Sequence, residues 1–405
     1  MSLEEAAGRV AEHLERQEFV EVYAHHDADG ITAASILCIA MLRKDMKFRL
    51  RVVAELPETG ITSGQGTLLC DLGSGREDLP GDVMVVDHHI PGFSGNYHVN
   101  PRLFGIDGDH ELSASGTAYL VANEIGDNRD LAGLAVTGFV GDGQELAGKN
   151  LEIFNEAVAN RIITPGRGLH LPGRDAPERL YMSINPYLPG ISGNQPAVEA
   201  ILDKCTGEEE LDISLLLSIL VLETSQRSGA NAAYRLYGDT YGLEREVLPD
   251  AHTLAAVLDA CGKAGKGGLA ASICMRSSAG IDEAWETTRS HRVHVVGALD
   301  NACKTAGQDG FYEVEDVVVA SDVADALAYD CSDRDPVIVF ASSGDACHIS
   351  ARCPKGVTRD IGTIIRTIAR DCGGKGGGHR LRAGATVPCT RVTEFRSAWQ
   401  EAMAS

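Results

Sequence analysis

Aspartates and histidines that could bind divalent metal ions are concentrated in the first 142 residues of the 405-residue chain. Carboxylates and imidazoles without thiolates suit Mn(II) or Mg(II), and a mixture of both ligand types favours Mn(II). Two such ions about 3.5–4 Å apart could activate a water molecule and stabilise the leaving oxygen when a phosphoryl group is transferred to water. The candidate ligands are His25, Asp27, Asp29, Asp71, His88 and Asp142, with Asp87 and His89 on either side of His88.

Three apolar runs are typical of strands, and each ends at acidic or imidazole side chains. Residues 19–24 lead into His25-His26-Asp27-Ala28-Asp29-Gly30, residues 67–70 lead into Asp71, and residues 83–86 lead into Asp87-His88-His89. Ligands of open parallel sheets bind at the carboxyl ends of the strands, so we expect these side chains to converge. A purely structural role is disfavoured for the last group, because burying each titratable side chain costs several kcal/mol unless it is paired or binds metal.

The residue types suggest different roles within this group. Asp71, at the end of its strand, is our choice for a carboxylate that bridges two ions. Asp87 would accept a hydrogen bond from a histidine and fix its tautomer, and His89 is better placed for a substrate phosphate oxygen. Helix capping by Asp29 or Thr32 is the alternative for the first loop, but it explains one carboxylate and not two with a histidine.

Two further stretches carry candidate polar contacts. Ser113 and Ser115 precede a helix predicted over residues 118–125, and they either cap that helix or donate to a phosphate oxygen. Residues 131–140 are almost uninterrupted apolar sequence and predict a buried helix. The flanking glycines would let Asp142 leave the end of that helix, whereas Gly-Asp-Gly alone is typical of a turn.

Composition limits the class of protein. A chain of this length predicts two or three domains. It has no apolar run long enough to span a membrane and no export signal in its acidic N-terminus, so we expect a cytoplasmic protein. Eleven scattered cysteines without a CxxC pair favour reduced, mostly buried thiols. The net charge of −22 argues against a protein that coats duplex nucleic acid.

The last third of the chain alternates between predicted strands and helices and contains a local excess of basic residues. Strands are predicted at residues 317–319, 336–341, 347–352 and 381–387, with helices at 322–329 and 360–370. Residues 352–382 carry eight basic and two acidic side chains, which either form a solvated basic face or bind an anion. Residues 165–196 are rich in Pro and Gly and predict an irregular segment.

The motifs His25-x-Asp27-x-Asp29-Gly30, Asp71, Asp87-His88-His89 and Gly141-Asp142 together resemble those of the DHH phosphoesterase superfamily. The segment from His348-Ile349-Ser350-Ala351-Arg352 to Gly376-Gly377-Gly378-His379 resembles that superfamily's C-terminal associated domain. The resemblance covers residues ~19–145 and ~315–390. Within the superfamily, the chain is most similar to the archaeal RecJ-like exonucleases of the GINS-associated type.

The resemblance implies an α/β fold in three parts. Residues 1–150 would form a DHH domain around a parallel sheet with helices on both faces, residues 151–310 a helical and irregular connector, and residues 311–405 a smaller mixed-sheet DHH-associated domain. It also implies hydrolysis of single-stranded DNA or RNA to nucleotides with two Mn(II) or Mg(II) ions. Arg352 and His379 would then grip a phosphate near the scissile bond, and Gly376, Gly377 and Gly378 would let the backbone approach it.

Three departures or alternatives remain. The sequence after residue 390 is too short for the extra oligonucleotide-binding barrel of bacterial RecJ, and 5% aromatic residues provide no evident stacking platform. Short oligonucleotides or cyclic dinucleotides would therefore suit the acidic surface better than long DNA, whereas the Gly-Gly-Gly-His ending disfavours inorganic pyrophosphate. The chain could instead be a replisome scaffold that binds the GINS complex with little catalysis, although the full set of expected ligands argues against lost catalysis.

Overall fold

The structure is a computed structural model that describes residues 2–57, 59–205, 211–228, 230–305, 310–331 and 335–404. The chain divides into two compact units. Unit 1 contains Met1–Gly166 and Asp239–Thr288, and unit 2 contains Arg167–Gly238 and Arg289–Ser405. A segment of the predicted connector therefore belongs to the same unit as the predicted metal ligands.

The strands and helices of the described residues are numbered in chain order. The strands are β1 (Phe19–His25), β2 (Lys47–Val53), β3 (Thr67–Cys70), β4 (Met84–Val86), β5 (His98–Val99), β6 (Ile163–Leu169), β7 (Tyr237–Leu243), β8 (Phe311–Val314), β9 (Val337–Ser343), β10 (Ala346–Arg352), β11 (Lys375–Gly378) and β12 (Arg382–Pro388). The helices are α1 (Leu3–Glu15), α2 (Ala28–Arg43), α3 (Ala114–Ile125), α4 (Ala132–Gly141), α5 (Gly148–Ala159), α6 (Ala176–Tyr181), α7 (Gln195–Cys205), α8 (Ile213–Arg227), α9 (Ala230–Arg235), α10 (Ala251–Lys263), α11 (Gly267–Cys274), α12 (Ile281–Thr305), α13 (Val317–Ala326), α14 (Ile361–Asp371) and α15 (Val392–Ala404). No described helix combines the length and the apolar character needed to cross a membrane.

Unit 1 is built on a five-stranded sheet with the order β2-β1-β3-β4-β5, and every neighbouring pair is parallel. All residues of β3 and β4 are buried, as expected of central strands in a parallel sheet. Helix α2 follows β1 and has thirteen of its sixteen residues buried. A helix that is apolar on nearly all sides belongs inside a domain, and α2 indeed packs between the sheet and helices α3 and α4. The predicted parallel-sheet domain is therefore confirmed.

The two faces of this sheet are covered differently. One face and the helices share a large apolar core that includes residues of α1, α2, α3, α4, α10 and α11. The other face contributes Leu69, Val83 and Val85 to a small cluster with the partly buried Leu56 and Phe93, which lie between strands in segments where the described residues form no helix. The prediction of helices on both faces is therefore met on one face only, because the loops after β2 and β4 supply the second layer.

The last part of unit 2 contains a smaller sheet with the order β11-β12-β10-β9-β8. Strands β8 and β9 are parallel and the other pairs are antiparallel, so the sheet is mixed, as predicted. The strand predicted at residues 317–319 is wrong, because these residues begin helix α13. The side chain of Asp316 accepts a hydrogen bond from Val318 N and caps the helix, which outweighs the strand preference of three consecutive valines.

The segment 165–196 is more regular than predicted. It contains most of β6 and the short helix α6, which begins after Asp175 with a proline in its first turn. The Asp175 side chain accepts from Glu178 N, so Asp-x-Pro here is a helix start rather than a mark of irregular chain. The prediction for the cysteines agrees with the structure, since all eleven are free thiols and eight are buried.

Candidate metal centre

The predicted metal ligands of unit 1 lie at the carboxyl ends of three adjacent strands. His25 is the last residue of β1, and Asp71 and Asp87 directly follow β3 and β4. Asp71 N donates to Val86 O at 2.9 Å, and Asp71 has a φ angle of 60°. Aspartate tolerates this left-handed conformation better than most residues do. The chain therefore turns sharply at Asp71, at the edge where the strand ends meet.

Two groups of ligand atoms form at this edge. In the first, His25 Nδ1 lies 2.7 Å from Asp27 Oδ2 and 3.3 Å from Asp71 Oδ2. In the second, His88 Nε2 lies 3.3 Å from Asp142 Oδ2, 3.3 Å from Asp71 Oδ1 and 3.9 Å from Asp29 Oδ2. The structure thus brings all six predicted ligands together.

Asp71 belongs to both groups, one oxygen to each. Its side chain is 1% exposed, and among the described residues Oδ1 has no hydrogen-bond partner despite its burial. A buried carboxylate oxygen without a donor is costly unless something else satisfies it. Its position between the two groups is the one expected of a carboxylate that bridges two ions.

The spacing and charge of the six side chains fit divalent cations. Two ligand atoms about 2.1 Å from one ion and at a right angle to each other lie about 3 Å apart. The distances of 2.7–3.9 Å within the two groups are close to that value. The four carboxylates would also balance the charge of two divalent ions. Nitrogen and carboxylate donors in this mixture suit Mn(II) or Mg(II).

Two of these carboxylates, Asp29 and Asp142, have raised pKa values because they are buried and lie next to other carboxylates. Burial raises the pKa of Asp29 to about 6, and the neighbouring Asp71 carboxylate adds to the rise. Burial raises the pKa of Asp142 to about 8, with a further contribution from Asp29 that His88 opposes. Asp29 and Asp142 are thus easier to protonate than usual, and a bound cation would relieve the repulsion between them.

Hydrogen bonds to the backbone fix the tautomer of His88. Its Nδ1 donates to Gly108 O at 2.6 Å, and the Gln144 amide donates to the same carbonyl at 2.9 Å. A neutral imidazole that donates from Nδ1 carries its lone pair on Nε2. Nε2 is the atom that faces Asp71 and Asp142, so the ring is oriented for metal binding.

Asp87 is held in place by four donors. Its Oδ1 accepts from His88 N at 2.7 Å, His89 N at 3.1 Å and His89 Nδ1 at 2.8 Å, and its Oδ2 accepts from Ser74 N at 3.0 Å. Although burial alone raises the pKa of Asp87, His89 and these donors hold it well below its usual range. This geometry is the one expected of the predicted tautomer-fixing acceptor.

Behind Asp87 lies a buried polar network that sequence reasoning missed. The Ser74 hydroxyl is 2.8 Å from His98 Nε2 and accepts from Asn100 Nδ2 at 2.8 Å. The same Asn100 amide donates to His89 O at 2.8 Å. The sequence offered one signal, which was the presence of polar residues at a predicted edge strand. His98 is the first residue of β5, and Asn100 directly follows that strand. Their contacts fix the backbone of the Asp87-His88-His89 segment.

Ser113 and Ser115 are fully buried at the start of α3, and the Ser115 side chain interacts with the Asp29 carboxylate. Ser113 caps α3 by accepting from Gly116 N, and the Ser115 hydroxyl donates to Ala135 O at 3.0 Å. Ser113 is therefore a helix cap, Ser115 is not, and the phosphate contact stays a prediction. Their segment nevertheless supports the site, because Ala114 N and Ser115 N donate to the Asp29 carboxylate at 2.7 and 3.0 Å.

The predicted substrate-binding residues Arg352, Gly376, Gly377, Gly378 and His379 belong to unit 2. Arg352 ends β10 and is 8% exposed, and its Nε donates to Asp325 Oδ1 at 2.6 Å. Arg382, opposite Arg352 on β12, donates to Asp325 Oδ2 at 3.1 Å. Sequence reasoning missed Asp325, which makes Arg352 part of a buried ion-pair cluster. The glycines form β11, which pairs with β12, and His379 follows them.

Comparisons with known proteins agree with this architecture. Residues 311–405 match the DHHA1 domain family. RecJ of Thermus thermophilus, solved with Mn²⁺, superposes with a TM-score of 0.61 at 17% identity over 99% of this chain. The protein has the RecJ-like DHH fold. This chain spans 54% of the length of the Thermus protein, which has also been solved with Mg²⁺.

Two further proteins are similar to this chain over almost its whole length. CDC45 of Entamoeba histolytica superposes with a TM-score of 0.62 at 11% identity, covering 100% of this chain and 99% of that one. An uncharacterized protein of Methanocaldococcus jannaschii is 27% identical over 94% of this chain and 92% of its own. At these identities the superpositions establish the fold alone, so the activity has to be inferred from the residues of the site.

Proposed function

We propose that this protein is a metal-dependent phosphodiesterase that hydrolyses single-stranded DNA or RNA from an end, with two Mn(II) or Mg(II) ions held by the six residues of unit 1. The single observation that carries the proposal is the position of Asp71, whose two buried oxygens face separate groups of ligands. The RecJ-like fold and the DHHA1 domain support the same class of reaction.

Two bound ions would supply an activated water and would stabilise the leaving oxygen. His25 and Asp27 would hold one ion and Asp29, His88 and Asp142 the other, with Asp71 shared between them. The proton that fixes the His88 tautomer stays on Nδ1, because Gly108 O accepts it.

His89 is suited to contact the substrate phosphate. Its ring is one third exposed, and its Nδ1 is held by Asp87 at 2.8 Å. Although burial lowers the pKa of His89, the carboxylates of Asp87 and Asp71 outweigh it and raise the pKa above its ordinary value. A protonated imidazole can donate from Nε2 to a phosphate oxygen. Arg352 and His379 would grip a phosphate near the scissile bond, and Gly376, Gly377 and Gly378 would let the backbone approach it.

The acidity of the chain favours a second candidate, a phosphodiesterase of short oligonucleotides or cyclic dinucleotides. A net charge of −22 disfavours long contacts with a polyanion, because each phosphate needs a cationic neighbour.

Docking on GINS in a replisome is a separate prediction. Co-purification with GINS tests it independently of hydrolysis.

The decisive experiment is Mn(II)-dependent digestion of end-labelled single strands of DNA and RNA in a series of lengths. The proposal expects release of mononucleotides from one end, no cleavage of duplexes, and loss of activity in EDTA that added Mn(II) restores. Hydrolysis confined to the shortest strands would favour the second candidate. Failure to cleave any phosphodiester while binding Mn(II) would refute both enzymatic readings and favour the scaffold.

A further inference from the structure

Helix α10 comes from the segment Asp239–Thr288, which lies within the connector predicted over residues 151–310. Within unit 1 it packs against α4 and α2. The loop that leads into α2 ends at Asp27, the N-cap of the helix, and Asp29 is the second residue of α2. The distant segment therefore lies directly against one end of the candidate metal centre.

Asp259 of α10 holds that loop through a hydrogen bond. Its Oδ1 accepts from Ala28 N at 2.9 Å, and Lys263 Nζ lies 3.6 Å from its Oδ2. Ala28 is buried, and it stands between the candidate ligands Asp27 and Asp29. The first N–H groups of a helix have no partner within the helix, and a carboxylate is favoured at that end by the helix dipole.

A second contact on the same loop is independent of Asp259. A Cβ atom at Gly262 would lie 1.7 Å from His26 O, so the backbone of α10 approaches the loop as closely as only glycine allows. The loop is thus held through the carbonyl side of His26 and the N–H of Ala28. Both contacts involve backbone atoms, so they fix the path of the chain from which the Asp27 and Asp29 side chains project.

We propose that Asp259 is a positioning residue of the metal centre, acting through Ala28 N to set the spacing of Asp27 and Asp29. The inference rests on the proposed function, because it assumes that these carboxylates bind metal. In this role Asp259 would bind neither substrate nor ion itself. Its loss would leave a buried N–H at the start of α2 without an acceptor and would let the loop shift away from the geometry that two ions need.

The test is the affinity of the full-length, metal-free protein for Mn(II), measured by calorimetry and by the EPR signal of free Mn(II). Asp259→Ala should raise the Kd by about tenfold, the lower end of the range found when an outer partner of a metal ligand is removed. Asp259→Asn is isosteric and keeps an oxygen acceptor without its charge, so its Kd should lie between those of Asp259→Ala and the wild type.

The matched control is Asp250→Ala. Asp250 caps the N-terminus of the same helix by accepting from Thr253 N at 2.8 Å, nine residues before Asp259. It should lower the Tm and leave the Kd for Mn(II) unchanged. If Asp259→Ala does not fold, Asp259→Asn alone carries the test, with the same expected direction.

The outcomes separate the inference from the proposed function. Wild-type Kd values in the Asp259 variants, or an equal rise in Asp250→Ala, would overturn the positioning role while leaving the proposed function intact. A wild-type protein that binds no Mn(II) would instead refute the proposed function and the inference together. A graded rise in Kd from wild type to Asn to Ala, with the control unaffected, would establish the role of Asp259.

Discussion

Replacing Asp71 by Asn tests the bridging role most directly. Asparagine has nearly the same size as aspartate. Like aspartate, it tolerates the φ angle of 60° at this position. It leaves three carboxylates to balance two divalent ions, and it turns one of the two oxygens into a donor that faces a cation. Loss of an outer partner of a ligand costs roughly 10–100-fold in affinity or activity, so we expect more than about 100-fold from the loss of a shared ligand.

Two assays measure the effect. Metal analysis after gel filtration should show that bound Mn(II) falls from two ions per chain to one or none, and hydrolysis of a labelled single strand should fall by more than about 100-fold. The Tm of the metal-free variant should not fall, because one member of a group of repelling buried carboxylates has been neutralised.

The matched control for this variant is Asp45→Asn. Asp45 also has a left-handed backbone, with a φ angle of 57°, but its side chain is exposed outside the site. It should bind two ions and hydrolyse the strand at the wild-type rate. Two tightly bound ions and near-normal hydrolysis in Asp71→Asn would show that Asp71 does not bridge, and the reasoning from its two oxygens would be wrong.

Three further predictions concern Asp87, Arg352 and Asp330, a buried aspartate of unit 2 whose Oδ2 accepts from Tyr187 N at 2.9 Å. Asp87→Ala leaves four donors without an acceptor, at a cost of about 1–3 kcal/mol for each buried group, so the free energy of unfolding in urea should fall by several kcal/mol. A fall of less than about 1 kcal/mol would contradict the hydrogen-bond network. Arg352→Ala should raise KM or lower kcat without changing the number of bound ions, whereas unchanged kinetics would remove Arg352 from the substrate site. Burial raises the pKa of Asp330 to about 6, so this carboxyl binds a proton more tightly in the folded protein than in the unfolded chain. The free energy that Asp330 contributes to stability should therefore fall as the pH rises from about 4 to about 6. Urea unfolding across that range should show the wild type losing stability relative to Asp330→Asn, and parallel curves would contradict it.

The parts of the fold and site that the sequence predicts are those set by local pattern. Residues 67–70 and 83–86 are short apolar runs followed by acids or imidazoles, and parallel strands bring such ends to one edge, so the convergence of Asp71 and His88 follows from simple geometry. The predicted role of Asp87 in fixing a histidine tautomer is equally local, because the ring that it holds belongs to His89, two residues along the chain.

The parts that the sequence does not predict depend on contacts between distant residues. Asp259 reaches Ala28 across 231 positions, and Asp325 reaches Arg352 across 27, and neither spacing is encoded in a local period. The helix at Val317 was missed for a different reason. A single capping aspartate, Asp316, decided the backbone conformation against the preference of the valines.

The division of unit 1 into two stretches of chain affects how the protein is made. Translation proceeds at about 5–20 residues per second, so the roughly 120 residues between Asp142 and Lys263 take about 6–24 s to synthesise. During that interval every candidate ligand has been polymerised, but the helix that carries Asp259 has not. Capture of cations by a nascent chain should therefore coincide with the emergence of that helix from the ribosome and not with that of the last ligand.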